Sequence, residues 1–209
     1  MATRPAEKSA AQKARLAAQQ SSEPQSRREI LDAAARLLRT QGYRATTLRD
    51  IAEAVGIKAG SIYYHFNSKD EIVAAVMNDG VDRVYEAVTA ALRELPSTSS
   101  QRERLVAAIT AHLSALLEHS DYTSAGLKSY HDAPDTVRAA ARQHRRRYEA
   151  VWSQLIGEIT ASRSGPDKVS PETLRRAALG MMNWSPEWYR TGRYSINTLA
   201  NEFAAILLR

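Results

Sequence analysis

The chain has 209 residues, of which 44% are hydrophobic and 25% are charged, and it contains no cysteine. This balance is that of an ordinary globular protein, and the lack of cysteine excludes disulfides, thiolate nucleophiles and cysteine-ligated metal centres. No run of about 18 apolar residues is present that could cross a bilayer, and the first 28 residues lack the apolar core of a signal peptide. We therefore expect a cytoplasmic protein.

The net charge of +6 is confined to the N-terminal third of the chain. Residues 1–69 contain 12 Lys and Arg against 6 Asp and Glu, whereas the remaining residues contain 17 of each. Such a surplus suits a polyanion, because neutralised phosphates release counterions and so drive association. An anionic membrane surface or a solvated tail would account for the charge equally well.

Residues 1–25 are rich in Ala, Gln, Ser and Lys and have few large apolar side chains. A segment of this composition cannot bury enough surface to offset the entropy of ordering. We expect a flexible basic arm. A leader without a role is the favoured interpretation, ahead of contact with DNA phosphates.

Three short helical patterns follow the arm. Their apolar positions have helical spacing: Ile30, Leu31, Ala34, Leu37 and Leu38; Leu48, Ile51, Ala52 and Val55; Ala59, Ile62, Tyr63 and Phe66. Gly42 and Gly56 are expected to end the first two helices, and Thr47 with Asp50 forms a capping-box pattern. Ser68 is expected to cap a fourth helix that runs towards Leu95. Short helices joined by glycine turns indicate a helix-turn-helix unit.

The third pattern leaves four residues on the face opposite its apolar positions: Gly60, Ser61, Tyr64 and His65. Small residues allow close approach to a groove, and hydroxyl and imidazole groups bond to bases or phosphates. Lys58 and Lys69 flank this face with positive charge. DNA binding is therefore favoured over an incidentally aromatic surface.

The rest of the chain also has helical spacing and no alternating strand pattern. We expect a helix containing Leu105 and Leu113, a short helix over 121–130, and one long helix from Pro134 to near Thr160. A further stripe comprises Leu174, Ala178, Met181 and Ser185, and Pro171 is expected to begin that helix. The predicted fold is all-α, with a helix-turn-helix DNA-binding domain over 26–70 and a larger helical ligand-binding and dimerisation domain over 71–209.

The segment "TTLRDIAEAVGIKAGSIYYHFNSKDEIV", residues 46–73, with "RREILDAAARLLRTQGYRA" before it, resembles the TetR family of transcriptional regulators. The resemblance implies that the second helix of the motif lies in the major groove. It also implies a homodimer whose two such helices lie about one DNA turn, roughly 34 Å, apart on a palindromic operator.

Family roles transfer to matching positions as expectations. Thr47 would cap its helix and meet a phosphate; Gly60, Ser61 and Tyr64 would meet bases or nearby backbone; Tyr63, His65 and Lys69 would hold phosphates, unless Tyr63 is mainly core. Lys58 departs from the serine common in the family, which removes a cap acceptor and adds a cation. The full predicted DNA-binding set is Arg27, Arg44, Thr46, Thr47, Lys58, Gly60, Ser61, Tyr63, Tyr64, His65 and Lys69.

The resemblance further implies dimerisation through the last two helices, roughly 171–190 and 195–208. The segment "MMNWSPEWYRTGR", residues 181–193, is expected to bend or end its helix at Pro186. It is similar to a segment of regulators of lipid and steroid catabolism that respond to acyl-CoA thioesters. Arginines of "RQHRRRY", residues 142–148, with Arg175 and Arg176, would then meet CoA phosphates. The predicted ligand-binding set is Tyr130, Tyr148, Trp152, Met181, Trp184, Trp188 and Arg190.

Alternatives remain open at this point. The aromatic segment also suits a core or a dimer interface, and the effector could be a non-CoA hydrophobic compound or drug. An enzyme is disfavoured, because His112, His119, His131, Asp132 and Asp135 show no metal-ligand spacing and no glycine-rich phosphate loop occurs. We predict no cofactor, no metal and no membrane partner. A membrane-surface scaffold would explain the basic arm but not the polar face of the third helix.

Overall fold

The computed structural model describes residues 26–118, 121–161, 169–190 and 192–209. The predicted basic arm, residues 1–25, lies outside the described residues. Every regular element within the described ranges is a helix, which confirms the all-α prediction. The elements are α1 (residues 26–45), α2 (Leu48–Val55), a 3-10 helix (Ala59–Tyr64), α3 (Lys69–Glu94), α4 (Gln101–Leu117), α5 (Asp121–Tyr130), α6 (Asp135–Ala140), α7 (Arg142–Ala161), α8 (Pro171–Trp188) and α9 (Ile196–Leu207).

Hydroxyl side chains begin several of these helices. The Thr47 hydroxyl accepts a hydrogen bond from the Asp50 amide, and the Asp50 carboxylate accepts one from the Thr47 amide, which confirms the predicted capping box. Gly56 ends α2 with φ of +76°, in the left-handed region that glycine adopts without strain. Ser68 caps α3, also as predicted.

Two hydrophobic cores lie along α3. The N-terminal core joins α1, α2, the 3-10 helix and the first half of α3 to α5 and α6. The C-terminal core joins the second half of α3 to α4, α7, α8 and α9. Val73 and Met77 belong to the first core, and Val84 and Val88 belong to the second. Since α3 has 26 residues, it extends about 39 Å and connects the cores as a single rod.

α3 and α5 approach each other closely at Gly80. A Cβ atom at this position would lie 2.6 Å from the carbonyl oxygen of Tyr122 and 2.8 Å from its carbonyl carbon. The Thr123 hydroxyl donates a hydrogen bond to the Gly80 carbonyl oxygen at 3.2 Å. Only a glycine allows the two backbones this separation.

The long helix expected from Pro134 to near Thr160 is in fact two helices. α6 ends at Ala140, and α7 begins at Arg142 after Ala141, whose ψ of −6° departs from α-helical geometry. Val137 and Ala141 pack in the N-terminal core, whereas Trp152 packs in the C-terminal core. Because of this break, α6 can pack in the N-terminal core while α7 packs in the C-terminal core.

α8 agrees with the predicted span of roughly 171–190 and differs from expectation in its inward stripe. Of the two predicted outcomes at Pro186, bending or ending, the helix does not end there, because it continues to Trp188. Proline cannot donate to the carbonyl four residues back, and the Ser185 hydroxyl donates to that Met182 carbonyl at 2.6 Å instead. The inward stripe contains Met182, which is 1% exposed, whereas the predicted Met181 is only partly buried.

No described helix is both long and apolar enough to cross a bilayer.

The contact at Gly80 leads to a stability prediction. Gly80→Ala should lower the free energy of unfolding by about 1–3 kcal/mol, because the new methyl group clashes with the Tyr122 backbone. Gly157→Ala is the matched control, since Gly157 lies within α7 and a Cβ there meets open space. The control should raise stability by up to about 1 kcal/mol through helix propensity. Urea unfolding measures both, and a Gly80→Ala protein as stable as the parent would contradict the expected clash.

Candidate nucleic-acid interface and effector site

The helix-turn-helix unit is anchored by one face of its second helix. Ile62 and Phe66 are 0% and 1% exposed and pack in the N-terminal core with Ile51 of α2. The intervening turn is closed by a hydrogen bond from the Ile57 amide to the Ala52 carbonyl oxygen at 3.0 Å. Because one face is held in the core, the opposite face is fixed in orientation at the surface.

The outward face predicted from the sequence lies at the surface. Tyr64 is 84% exposed, and Gly60 is exposed with open space where a side chain would begin. Ser61 and His65 are half-buried. The structure thus leaves a small residue, a hydroxyl, a phenol and an imidazole accessible along this short element, while their contact with DNA stays a prediction.

Two residues assigned to the inward face of this helix were placed wrongly. Tyr63 is 60% exposed and Ala59 is also exposed, so neither is core. The element is a 3-10 helix with three residues per turn, in which Tyr63 lies about 120° around the axis from its neighbour Ile62. Tyr63 is therefore turned away from Ile62 and towards solvent, where it is available to a phosphate.

Lys58 precedes the 3-10 helix with extended backbone and makes no side-chain cap hydrogen bond. This confirms the expected loss of a cap acceptor at that position. The side chain is exposed beside the helix that carries Gly60 and Ser61. A cation therefore occupies the site at which a serine would have capped the helix.

Thr46 and Thr47 have different environments. Thr46 is 0% exposed, and its hydroxyl donates to the Gly42 carbonyl oxygen at 2.8 Å. The prediction that Thr46 contacts DNA is wrong, because its side chain is enclosed by the end of α1. Thr47 is exposed at the N-terminus of α2, where free amides and the helix dipole favour a phosphate.

Lys69 is engaged within the protein. Its ammonium donates to the carbonyl oxygens of Tyr43 at 3.0 Å and Thr46 at 3.1 Å, and it lies 3.9 Å from the centre of the Tyr43 ring. Burial, followed by the hydrogen bond to Asp70, raises the pKa of Tyr43 to about 12. In this structure Lys69 joins the end of α1 to the start of α3, and its predicted phosphate contact remains untested.

The two predicted arginines lie at the surface. The Arg27 guanidinium stacks 4.6 Å from the centre of the Phe66 ring. Arg44 forms an ion pair with Asp132 at 3.0 Å, although its side chain is 81% exposed. Both cations are accessible near the helix-turn-helix unit, and neither contact prevents an encounter with a phosphate.

The C-terminal core encloses a polar aromatic cluster. Tyr148 and Trp152 of α7, both predicted ligand residues, meet His112 of α4, with ring centres 6.0–6.5 Å apart. His112 Nδ1 lies 2.5 Å from the Tyr148 hydroxyl oxygen. His112 had been considered only as a rival metal ligand. Its spacing of i+7 and i+3 from the core residues Leu105 and Ile109 was the signal that it faces inward.

The cluster is uncharged and has unused hydrogen-bonding groups. Burial lowers the pKa of His112 to about 4, against a smaller opposing effect of Asn183, so the ring is neutral at pH 7. Burial also raises the pKa of Tyr148. His112 Nε2 and Trp152 Nε1 are buried and make no hydrogen bond of standard geometry with a described residue, although the Asn183 side chain lies near His112 and the Tyr148 hydroxyl lies near Trp152. The Trp152 N–H, in particular, can donate to a neutral acceptor such as a carbonyl oxygen.

Four other predicted ligand residues do not line this core. Trp184 is 65% exposed, Trp188 is 41% exposed, and Arg190 is exposed and donates to nearby main-chain carbonyls. Met181 is partly buried at the edge of the C-terminal core. The two predicted ligand residues Trp184 and Trp188 are exposed in this chain, because the inward stripe of α8 runs through Met182.

The last two helices, α8 and α9, carry an exposed apolar surface. We call Trp184, Trp188 and Ile206 the α8–α9 surface; Ile206 is 54% exposed. The Trp188 ring packs edge-to-face on Phe203, with centres 6.4 Å apart, so the two helices present one continuous patch. Its composition suits contact with another protein surface.

A separate groove lies between α6 and the start of α7, with a volume of about 750 Å³. We call it the arginine groove. Its lining comprises Tyr130, Asp135, Thr136, Arg138, Ala139, Arg142, Arg145, Arg146 and Glu149. Of the arginines predicted to meet phosphates, Arg175 and Arg176 lie outside it and pair with Glu149 and Glu172 at 2.8 and 2.5 Å.

The residues considered for an enzyme do not converge. Asp132 pairs with Arg44, Asp135 pairs with Arg138, and His119 lies outside the described residues. Among the described residues, no group of three histidines or carboxylates is arranged to hold a metal ion.

Two protein-family models match the chain: "Bacterial regulatory proteins, tetR family" over residues 30–76, and "Tetracyclin repressor-like, C-terminal domain" over residues 98–209. The chain belongs to the TetR family. It is 30% identical to the HTH-type transcriptional repressor KstR2 of Mycolicibacterium smegmatis, over 90% of this chain and 91% of that protein. This member of the family is a DNA-binding transcriptional regulator with a helix-turn-helix unit and a C-terminal helical domain.

Solved structures share this architecture. The superantigen PfiT is 32% identical, with a TM-score of 0.70 and coverage of 87% of this chain and 95% of that one. AibR in complex with isovaleryl coenzyme A and operator DNA has a TM-score of 0.76 and 23% identity, covering 88% of this chain and 98% of that one. The likeness to AibR establishes the fold alone.

The neutral state of His112 leads to a pH prediction. As the pH falls from 6.5 towards 4, His112 binds a proton in the unfolded chain but stays neutral in the folded protein, where its ring is buried. The contribution of His112 to the free energy of unfolding is therefore fully present above pH 6.5. It falls below that pH, by about 2 kcal/mol at pH 5. His112→Gln should reduce the difference in unfolding free energy between pH 7 and pH 5 by that amount.

His131→Gln is the control for this measurement, because His131 is exposed. It should keep the full decrease in stability between pH 7 and pH 5, which urea unfolding at the two pH values reports. Equal pH dependence in the parent and His112→Gln proteins would show that the folded protein binds a proton at His112 as readily as the unfolded chain does.

Proposed function

We propose that this regulator is a homodimeric repressor that binds a palindromic operator and is released by a small apolar effector, foremost an acyl-CoA thioester. The observation that carries the DNA-binding part is the exposed face formed by Gly60, Ser61 and Tyr64. Buried Ile62 and Phe66 hold that face rigidly. Operator binding would place the protein in the cytoplasm with the bacterial chromosome.

Each exposed group has a physical role in this proposal. Gly60 allows the backbone to approach the major groove, and the projecting Tyr64 reaches base edges or nearby backbone. Lys58 and Arg44 neutralise phosphates, which makes binding sensitive to salt. The amide end of α2 beside Thr47 receives a further phosphate and sets the register of the unit on the duplex.

The α8–α9 surface supports the dimer. Its two tryptophans and Ile206 are large apolar side chains that are exposed to solvent in the single chain. A two-fold pairing of this surface would bury them against the same residues of a second copy. The two 3-10 helices would then face DNA together, and a separation of about 34 Å would match successive major grooves.

The C-terminal domain supports an acyl-CoA thioester in three ways. The C-terminal core offers apolar surface for an acyl chain, and the Trp152 N–H can bond a thioester carbonyl oxygen. The arginine groove offers positive charge for phosphates. AibR, which shares the fold, was crystallised with isovaleryl coenzyme A. An effector that prefers the DNA-free state by about 1–3 kcal/mol would lower operator affinity about 5–150-fold.

Titration of the protein against its own upstream intergenic DNA, with scrambled DNA as control and at two salt concentrations, tests the DNA-binding part. The parent should prefer the intergenic DNA. Tyr64→Ala should weaken that binding about 5–150-fold, because a groove contact of about 1–3 kcal/mol is lost. Its melting temperature should not change, since Tyr64 is 84% exposed.

Tyr194→Ala is the matched control, because Tyr194 is a tyrosine, 41% exposed, in the connection between α8 and α9. It should bind the intergenic DNA like the parent. Equal weakening of both variants, or equal binding of the parent to both DNAs, would contradict the proposed role of Tyr64.

The dimer has its own test. Trp184→Glu should shift the protein from dimer to monomer at micromolar concentration in sedimentation velocity, because a carboxylate would be buried without a partner. Ala54→Glu places the same charge on exposed α2 and should remain dimeric. A Trp184→Glu protein that sediments as a dimer would show that the α8–α9 surface is not the interface.

A further inference from the structure

The arginines and the histidine at the start of α7, residues 142–147, contact different partners. His144 bonds both carboxylate oxygens of Asp82 at 2.8 Å. Arg147 turns away from the arginine groove and stacks 3.9 Å from the centre of the Tyr85 ring. Arg142, Arg145 and Arg146 line the arginine groove and face Arg138 of α6 across it. Four guanidiniums therefore share one concavity.

The carboxylates of the groove do not balance these cations. Asp135 is paired with Arg138. Glu149 lies closest to Arg175, outside the groove, at 2.8 Å, and lies 3.7 Å from Arg145. Arg142 and Arg146 are exposed and form no ion pair with any described residue. The groove thus holds two guanidiniums that lack an anionic partner.

Two further features favour an anion at this place. The Arg145 guanidinium lies 4.2 Å from the centre of the Tyr130 ring, which holds its plane, and one of its terminal nitrogens lies 3.7 Å from Glu149. The first turn of α7 contains no acidic side chain, so the positive end of the helix is not neutralised from within. A planar guanidinium fork matches two phosphate oxygens at once.

We propose that the arginine groove binds a diphosphate ester, with Arg142 and Arg146 as its principal ligands and Arg145 as an oriented third. This inference deepens the proposed function, on which it rests for the identity of the ligand: a CoA thioester carries a diphosphate linked to adenosine, whereas an uncharged hydrophobic effector does not. The groove would then hold the nucleotide end of the effector.

The position of the groove connects it to the DNA-binding unit. Its α6 wall contains Arg138, which donates to the Ala133 carbonyl oxygen at 2.8 Å, and Ala133 packs in the N-terminal core. The adjacent Asp132 is the partner of Arg44 in α1. A diphosphate bound between α6 and α7 would therefore lie next to the segment before α6, which contacts α1 through the Asp132–Arg44 ion pair.

The test uses isothermal titration of the full-length protein, without DNA, with ADP as the probe and adenosine as its phosphate-free counterpart. The parent should bind ADP and show at least about tenfold weaker binding of adenosine, because charge-assisted contacts to the diphosphate are missing. Arg142→Gln/Arg146→Gln should weaken ADP binding by a similar factor. Both arginines are exposed, so the unfolding midpoint should stay unchanged.

Arg93→Gln/Arg102→Gln is the matched control, since both arginines are exposed and lie outside the groove. It should bind ADP like the parent. Equal ADP affinity of the groove variant and the parent, or an equal loss in the control, would overturn the site. Should the glutamine variant fail to fold, Arg142→Lys/Arg146→Lys keeps the charge and removes the forks. It should still bind ADP several-fold more weakly than the parent.

The same preparations are titrated with the intergenic DNA, so that the two proposals fail separately. Absence of sequence preference in the parent would count against the operator-binding function, while ADP binding would still decide the groove. Operator binding with no ADP binding would overturn the groove alone and favour an uncharged effector.

Discussion

The burial of one helix in two separate cores is the constraint on which the architecture depends. α3 contributes Val73 and Met77 to the N-terminal core and Val84 and Val88 to the C-terminal core. Because α3 is one uninterrupted helix of 26 residues, both cores are built on the same element. Gly80 lies between these two sets and allows α5 to pack against the rod without an intervening side chain.

α5 is tied to α1 by polar contacts that complement this packing. The Tyr122 hydroxyl donates to Asp32 at 2.6 Å, and burial followed by this bond raises the pKa of Tyr122. Lys128 donates to the Thr40 carbonyl oxygen at 2.6 Å at the surface. Exposed contacts contribute little individually, about 0.2–1 kcal/mol, so the half-buried Tyr122–Asp32 bond is the stronger of these links. α5 is therefore held against α1 by polar and apolar contacts, and Tyr130 at its end lines the arginine groove.

The degree to which the sequence could be interpreted differs between segments. Residues 46–73 combine a capping box, a glycine that ends α2 and a serine cap on α3, and each is a local signal that the structure reproduces. The run at 142–148 carries no such signal, because five of its seven residues are positively charged or histidine and helical spacing alone does not identify their partners. Asp82, Tyr85, Tyr130 and His112, which divide that run, come from four other positions in the chain. For the same reason, the sequence marks Trp184 and Trp188 as an unusual pair but does not predict which way their side chains face.

The sequence by itself determined the all-α class, the helix-turn-helix unit, its N-caps and the outward face of Gly60, Ser61 and Tyr64, because these depend on residues within a few positions of one another. Only the tertiary structure decided that Thr46 is enclosed, that the recognition element is a 3-10 helix with Tyr63 exposed, and that His112 is neutral in the core. Enclosure, helix type and protonation depend on neighbours far away in the chain. Such neighbours set the local dielectric and the space available to each side chain, and a linear pattern does not contain them.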